Sequence, residues 1–136
     1  MSSPVKSQTA LLKIRGLKIR GFSDERWHEI IKGIDLTLNR GEVLGLIGES
    51  GAGKSTLGLA AMGFTQPGCQ ISGGSIHFDG VDLATLSDER KRIFWGNRMT
   101  YVAQSAAASF NPAHRLIEQT TGSTIRFGIR DRAAAY

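Results

Sequence analysis

Gly48-Glu49-Ser50-Gly51-Ala52-Gly53-Lys54-Ser55 satisfies the pattern G-x-x-x-x-G-K-[ST]. Immediately before it, Val43-Leu44-Gly45-Leu46-Ile47 is a continuous apolar run bounded by glycines, which predicts a strand buried on both faces of a parallel sheet. Immediately after it, Ser55 to Met62 predicts a helix, kept short by Gly58 and Gly63. A glycine-rich turn between such a strand and a helix lets the backbone wrap closely around an anion. Successive N–H groups from Ser50 to Ser55 can then converge on phosphate oxygens, and the helix N-terminus adds partial positive charge. By the same mechanics Lys54 bridges the β- and γ-phosphates, the Ser55 hydroxyl becomes a Mg²⁺ ligand and Thr56 reaches the α-phosphate.

Outward from this turn the chain reads as alternating strands and short helices. Residues 1–9 are small and polar, a flexible terminus. Leu11, Leu12, Ile14, Leu17 and Ile19, interrupted by Lys and Arg, predict a first strand, and residues 21–28 are polar enough for a turn. Ile34, Leu36 and Leu38 alternate with Asp35 and Thr37 as a half-buried strand does, and Asn39-Arg40-Gly41 closes it, so the region predicts a hairpin. Gly68 to Gly80 mixes turn residues with Ile71, Ile76 and Phe78 and predicts a second hairpin ending at Asp79-Gly80. Ser87 caps a helix that starts with Asp88-Glu89, carries Arg90, Lys91 and Arg92 after them, and stops near Gly96. Met99 to Ala103 predicts a strand that delivers Gln104 into an Ala/Ser-rich loop ending at Asn111-Pro112. A helix over Arg115 to Thr121 follows.

The 136 residues suffice for one domain with a core, and 40% hydrophobic with 21% charged residues is ordinary for a globular protein. Seventeen Lys and Arg against twelve Asp and Glu give +5, which by itself selects no partner among nucleic acid, anionic lipid and polyphosphate. No aromatic-and-basic recognition motif for nucleic acid accompanies the charge. Cys69 is the single cysteine, so neither an internal disulfide nor a Cys-x-x-Cys metal site can form. His28, His77 and His114 lack the spacing of a metal site. No run approaches the roughly 18 apolar residues of a membrane span, so a link to a membrane is expected to run through a partner.

Many activities share a phosphate-binding loop, and the wider sequence separates them. Arg40-Gly41-Glu42-Val43-Leu44-Gly45-Leu46-Ile47 continuing through the loop to Thr56 closely resembles the ABC transporter ATPase family, and Glu49 is similar to its di- and oligopeptide importer branch. Gly74-Ser75-Ile76-His77-Phe78-Asp79-Gly80-Val81-Asp82 resembles that family's antiparallel hairpin, and Met99-Thr100-Tyr101-Val102-Ala103-Gln104 its strand ending in the Q-loop. The resemblance covers residues 10–125 and leaves 126–136 as a tail. It implies an α/β P-loop NTPase (RecA-like) core with an antiparallel β subdomain, stopping where the helical subdomain begins.

The resemblance also implies ATP and Mg²⁺ as cofactors, held by Gly48, Glu49, Ser50, Gly51, Ala52, Gly53, Lys54, Ser55 and Thr56. Ser55 and Gln104 would serve the metal, and Lys54 and Gln104 the chemistry. An upstream aromatic residue stacks on adenine in this family; Trp27 is the candidate, with Phe22 competing. The implied partners are transmembrane permease subunits, a second nucleotide-binding subunit and, indirectly, a solute-binding protein, with no nucleic acid. The implied place is the cytoplasmic face of the membrane, powering uptake of peptides or a similar small solute. Ser105-Ala106-Ala107-Ala108 departs from the branch's Asp-Pro-containing loop, although Phe110-Asn111-Pro112 fits.

Two stretches mimic absent motifs. Ile76-His77-Phe78-Asp79 ends in an acid as a Walker B strand does, and Ile71-Ser72-Gly73-Gly74-Ser75 resembles the LSGGQ signature, but both precede Gln104 and read better as hairpin. No signature, Walker B acid or switch histidine follows Gln104, so hydrolysis by this chain alone is not expected. The alternative is a non-enzymatic nucleotide-binding or interaction fragment. A truncation, a frameshifted tail and an isolated fragment are all compatible with the end of the sequence.

Overall fold

The computed structural model describes residues 9–49, 53–103, 105 and 112–119. The chain divides into two units, residues 1–87 and 88–136.

The first unit is built on two 14-residue strands, β1 (Ala10–Ser23) and β2 (Arg26–Asn39), joined by Asp24-Glu25. Both turn residues have positive φ, 50° and 61°, the geometry whose twist matches a two-residue hairpin. The predicted hairpin therefore forms, with strand replacing most of the turn expected over 21–28. β3 (Cys69–Phe78) pairs antiparallel with the other side of β1, and the two-residue β4 (Val81–Asp82) pairs with β3. The sheet order is β2-β1-β3-β4. Asp79-Gly80, with φ of 49° and 81°, is the tight turn between β3 and β4; the sequence expectation of a hairpin within 68–80 is corrected, because residues 69–78 run as one strand along β1.

Glycine shapes the middle of this sheet. Along β1, Leu12 and Ile14 are buried, then Leu17 and Ile19, a phase slip of one residue. The slip occurs at Gly16, φ +56°, where the register shifts against both neighbouring strands, so residues on both sides of the bulge face one core. Gly74, φ +89°, lies beside it: a Cβ there would stand 2.5 Å from the Gly16 carbonyl oxygen and 2.6 Å from that of Arg15. Gly73-Gly74 thus sits inside β3 at a bulge rather than in a turn, which is where the signature-like stretch gets its glycines.

The core of this unit comprises Ile14, Leu17, Ile19, Ile76 and Leu83, fully buried, with Leu12, Ile31 and Phe78 around them. Helix α1 (Lys54–Ala61) buries Leu57 and Ala60. Arg40, after β2, forms an ion pair with Asp79 in the β3–β4 turn.

Residues 43–49 correct one expectation. The apolar run does not enter a sheet; it has no regular secondary structure and no ladder partners, and Val43 and Ile47 are 96% and 97% exposed. Strand formation requires a neighbour to hydrogen-bond, and among the described residues no parallel neighbour stands beside this run.

In the second unit α2 (Asp88–Phe94) carries its acids in the first turn and Lys91 and Arg92 in the last, as the helix dipole favours. Ser87 directly precedes it. Trp95 and Met99 form an isolated bridge, and Gly96 N–H donates to the Met99 carbonyl at 2.7 Å. Thr100 to Ala103 is irregular, not the predicted strand, for the same lack of a pairing neighbour. Residues 116–119 make a helical turn within the span expected to be helical.

Candidate functional site

The quoted turn meets α1 at Gly53. Gly53 is the residue before the helix, with φ +86°, and a Cβ there would lie 2.9 Å from Ile31 Cδ1. The left-handed backbone favours glycine at this point, while the Ile31 methyl could shift to admit a Cβ. No side chain caps the helix and no acid sits in its first turn. The Leu57 amide is the first to reach an intrahelical acceptor, the Gly53 carbonyl at 2.8 Å. The amides of Lys54, Ser55 and Thr56 precede it, so the helix supplies them no acceptor. An anion can fill that role, and the helix dipole favours it.

Lys54 closes the other side. Its ammonium donates to the carbonyls of Gly48 and Glu49, the latter at 2.7 Å, tying the helix start back to the end of the apolar run. An ammonium has three donors, and these two contacts place the charge beside Gly48 and Glu49. Ser55 is exposed and Thr56 half-buried in the same first turn. A cavity of about 470 Å³ opens beside them, lined by Ile31, Leu36, Leu44, Gly53, Lys54 and Leu57 among others.

Of the sequence-predicted residues, Gly48, Glu49, Gly53, Lys54, Ser55 and Thr56 are brought together here. Ser50, Gly51, Ala52 and Gln104 lie outside the described residues. Trp27 lies near the tip of the β1–β2 hairpin, 47% exposed. Its ring meets Phe22 edge-on, with centroids 5.3 Å apart, and the Arg20 guanidinium lies 4.5 Å above it. Arg20 neighbours buried Ile19, so strand alternation puts this cluster on the sheet face opposite the one that Gly53 touches through Ile31. The Arg20 contact was not legible in sequence, because a diagonal cross-strand neighbour is fixed only by register. No group of three or more metal-capable side chains occurs among the described residues.

A match to the family described as ABC transporter covers residues 31–135, which includes the phosphate-type turn and its flanks. The chain belongs to the ABC transporter family. The expected P-loop NTPase fold with its antiparallel β subdomain is accordingly met, and the ABC domain carries a nucleotide site. The peptide transport system ATP-binding protein SapD of Salmonella typhimurium is 32% identical to this ABC chain over 109 residues, 80% of the chain and 33% of SapD. SapD of Escherichia coli O6:H1 is 31% identical over the same length. A Brucella ovis protein named for peptide import ATP binding is 38% identical over 106 residues, 78% of the chain and 32% of that protein. The ABC chain thus spans about a third of the length of these relatives.

Proposed function

We propose that this chain binds Mg-ATP as the front part of the ATP-binding subunit of a peptide-importing ABC transporter. The observation that carries the proposal is the closed posture of Lys54 at a helix start whose first three amides have no helical acceptor. Lys54 would meet the β- and γ-phosphates, the amides of Lys54, Ser55 and Thr56 the phosphate oxygens, and the Ser55 hydroxyl the Mg²⁺ ion. Bound Mg²⁺ supplies charge neutralisation between the phosphates. Gly48, Glu49, Ser50, Gly51 and Ala52 complete the cradle, and Gln104 is assigned to the metal and its water by resemblance.

Trp27 is assigned to the base. It stands three residues along β2 from Ile30, whose Cγ2 would lie 3.6 Å from a Cβ at Gly53, or about 10 Å of strand, a span suited to the separation of a phosphate from an adenine. Because β2 is the edge strand, a ring at its end can reach round the sheet. Peptide import is supported by what the relatives' names say of those proteins. Permease subunits, a second nucleotide-binding subunit and a solute-binding protein would be the partners, at the cytoplasmic membrane face. No helix among the described residues is long and apolar enough to cross a membrane.

A non-enzymatic nucleotide-binding fragment is the second reading, favoured by the unpaired state of Val43–Ile47. Titration of the purified chain with Mg-ATP tests the first: saturable binding is expected, and none at millimolar nucleotide would overturn it.

A further inference from the structure

The outer face of the β1–β2–β3 sheet carries a row of cations, of which only Arg20, stacked on Trp27, touches a residue assigned to the nucleotide. Lys13, Arg15, Lys18 and Arg20 are the residues of β1 directed away from the core, a phase kept through the Gly16 bulge. Lys32 of β2 stands directly opposite Lys18 in register. Among the described residues, the ion pairs are Arg40–Asp79 and Lys91–Asp88, so none of these five cations is neutralised by one.

Their side chains are laid along the face. Lys18 runs over Gly73, where a Cβ would stand 3.6 Å from its Cδ. Arg15 donates to the Thr37 hydroxyl at 3.1 Å, and Arg20 to Gln70 Oε1 at 2.9 Å. Three carboxylates share the neighbourhood. Asp35 accepts the Gly16 amide at 2.6 Å, Glu29 is opposite Arg20, and Asp82 is opposite His77. They leave the stripe with an excess of positive charge. Like charges directly opposite in a sheet are destabilising, so the Lys18–Lys32 pair works against folding, and a polyanion laid over it would remove the repulsion.

The geometry points to this face as a docking surface for an anionic lipid bilayer. Cations spread over four outward positions of β1, about 23 Å of strand at 3.3 Å per residue, match an extended surface of anionic headgroups. Single-stranded nucleic acid would call for base-stacking rings between the cations; among the described residues of this face Phe22 and Trp27 sit together at the tip and His77 stands opposite Lys13. The choice of lipid also rests on the proposed reading of the chain as part of a membrane-associated transporter. Direct lipid contact would hold the subunit's β face at the bilayer independently of any permease.

Vesicle flotation tests this with the full 136-residue chain. Vesicles of phosphatidylcholine with 30% phosphatidylserine (about that fraction, to set a surface potential of the usual size) are compared with pure phosphatidylcholine. Binding only to the anionic vesicles is expected, weakening with salt. Each cation near such a surface is worth roughly fivefold in affinity, so Lys18→Gln with Lys32→Gln should weaken binding on the order of twentyfold. Removing like-charge repulsion, that pair should not lower Tm, and Lys18→Arg with Lys32→Arg should restore binding.

The control Arg92→Gln with Arg115→Gln makes the same net-charge change in the other unit and should cost less than threefold. Equal losses for the two pairs, no preference for anionic vesicles, or tighter binding to a DNA or RNA oligonucleotide than to vesicles would overturn the proposal. Mg-ATP titration of the same preparations separates the two readings: lost nucleotide binding with vesicle binding intact counts against the nucleotide assignment alone, and the converse against this one alone.

Discussion

The Lys54 ammonium donates to the Glu49 carbonyl at 2.7 Å, across the turn that separates an apolar run from a helix. That contact ties the end of the apolar run to the helix start, whose first three amides have no acceptor within the helix. The Lys54 side chain is therefore both the clasp of the loop and its charge, and the rest of the first unit serves to hold that arrangement against β2.

Gly74 is the most constrained residue of the sheet. Alanine there would combine a left-handed backbone with a Cβ 2.5 Å from the Gly16 oxygen, a cost of about 3 kcal/mol or more. Thermal unfolding should show Tm lowered by about 12 °C or more. Gly80→Ala, with similar φ but nothing within 4 Å, should cost only about 1–2 kcal/mol. Equal effects would contradict the bulge packing.

Val43 and Ile47 should drive self-association of the isolated chain, because a strand-forming apolar run lies unpaired. Sedimentation velocity is expected to show mass rising with concentration, and Val43→Lys with Ile47→Lys to suppress it. A monomeric wild-type chain with a cooperative high-temperature melt would count against this.

Much of this architecture is legible in sequence, for identifiable reasons. Asp79-Gly80 and the Ile34/Leu36/Leu38 alternation act locally, and the structure keeps both. Val43–Ile47 carries equally local strand chemistry, yet a strand is realised only when another segment supplies its hydrogen bonds, and composition cannot say where that segment is. Gly73-Gly74 reads as a turn because its purpose, clearance for Gly16, is a contact across strands. For the site, Gly53 and Lys54 announce themselves through spacing, whereas the Arg20–Trp27 stack depends on the hairpin register alone.

Trp27→Ala should weaken Mg-ATP binding by about fivefold or more, the usual worth of one stacked base, while leaving affinity for inorganic tripolyphosphate unchanged. Isothermal titration gives both numbers. Unchanged ATP affinity with a lowered Tm would instead assign Trp27 to packing with Phe22 and Arg20.

The most direct measurement is calorimetric titration of Mg-ATP into the wild-type chain and into Lys54→Ala, with folding of both followed by circular dichroism. Removing a charged partner from a desolvated phosphate should lower affinity on the order of a hundredfold, with the helix and sheet signals retained. A folded variant that binds Mg-ATP within threefold of wild type would contradict the assignment of this turn as the phosphate cradle.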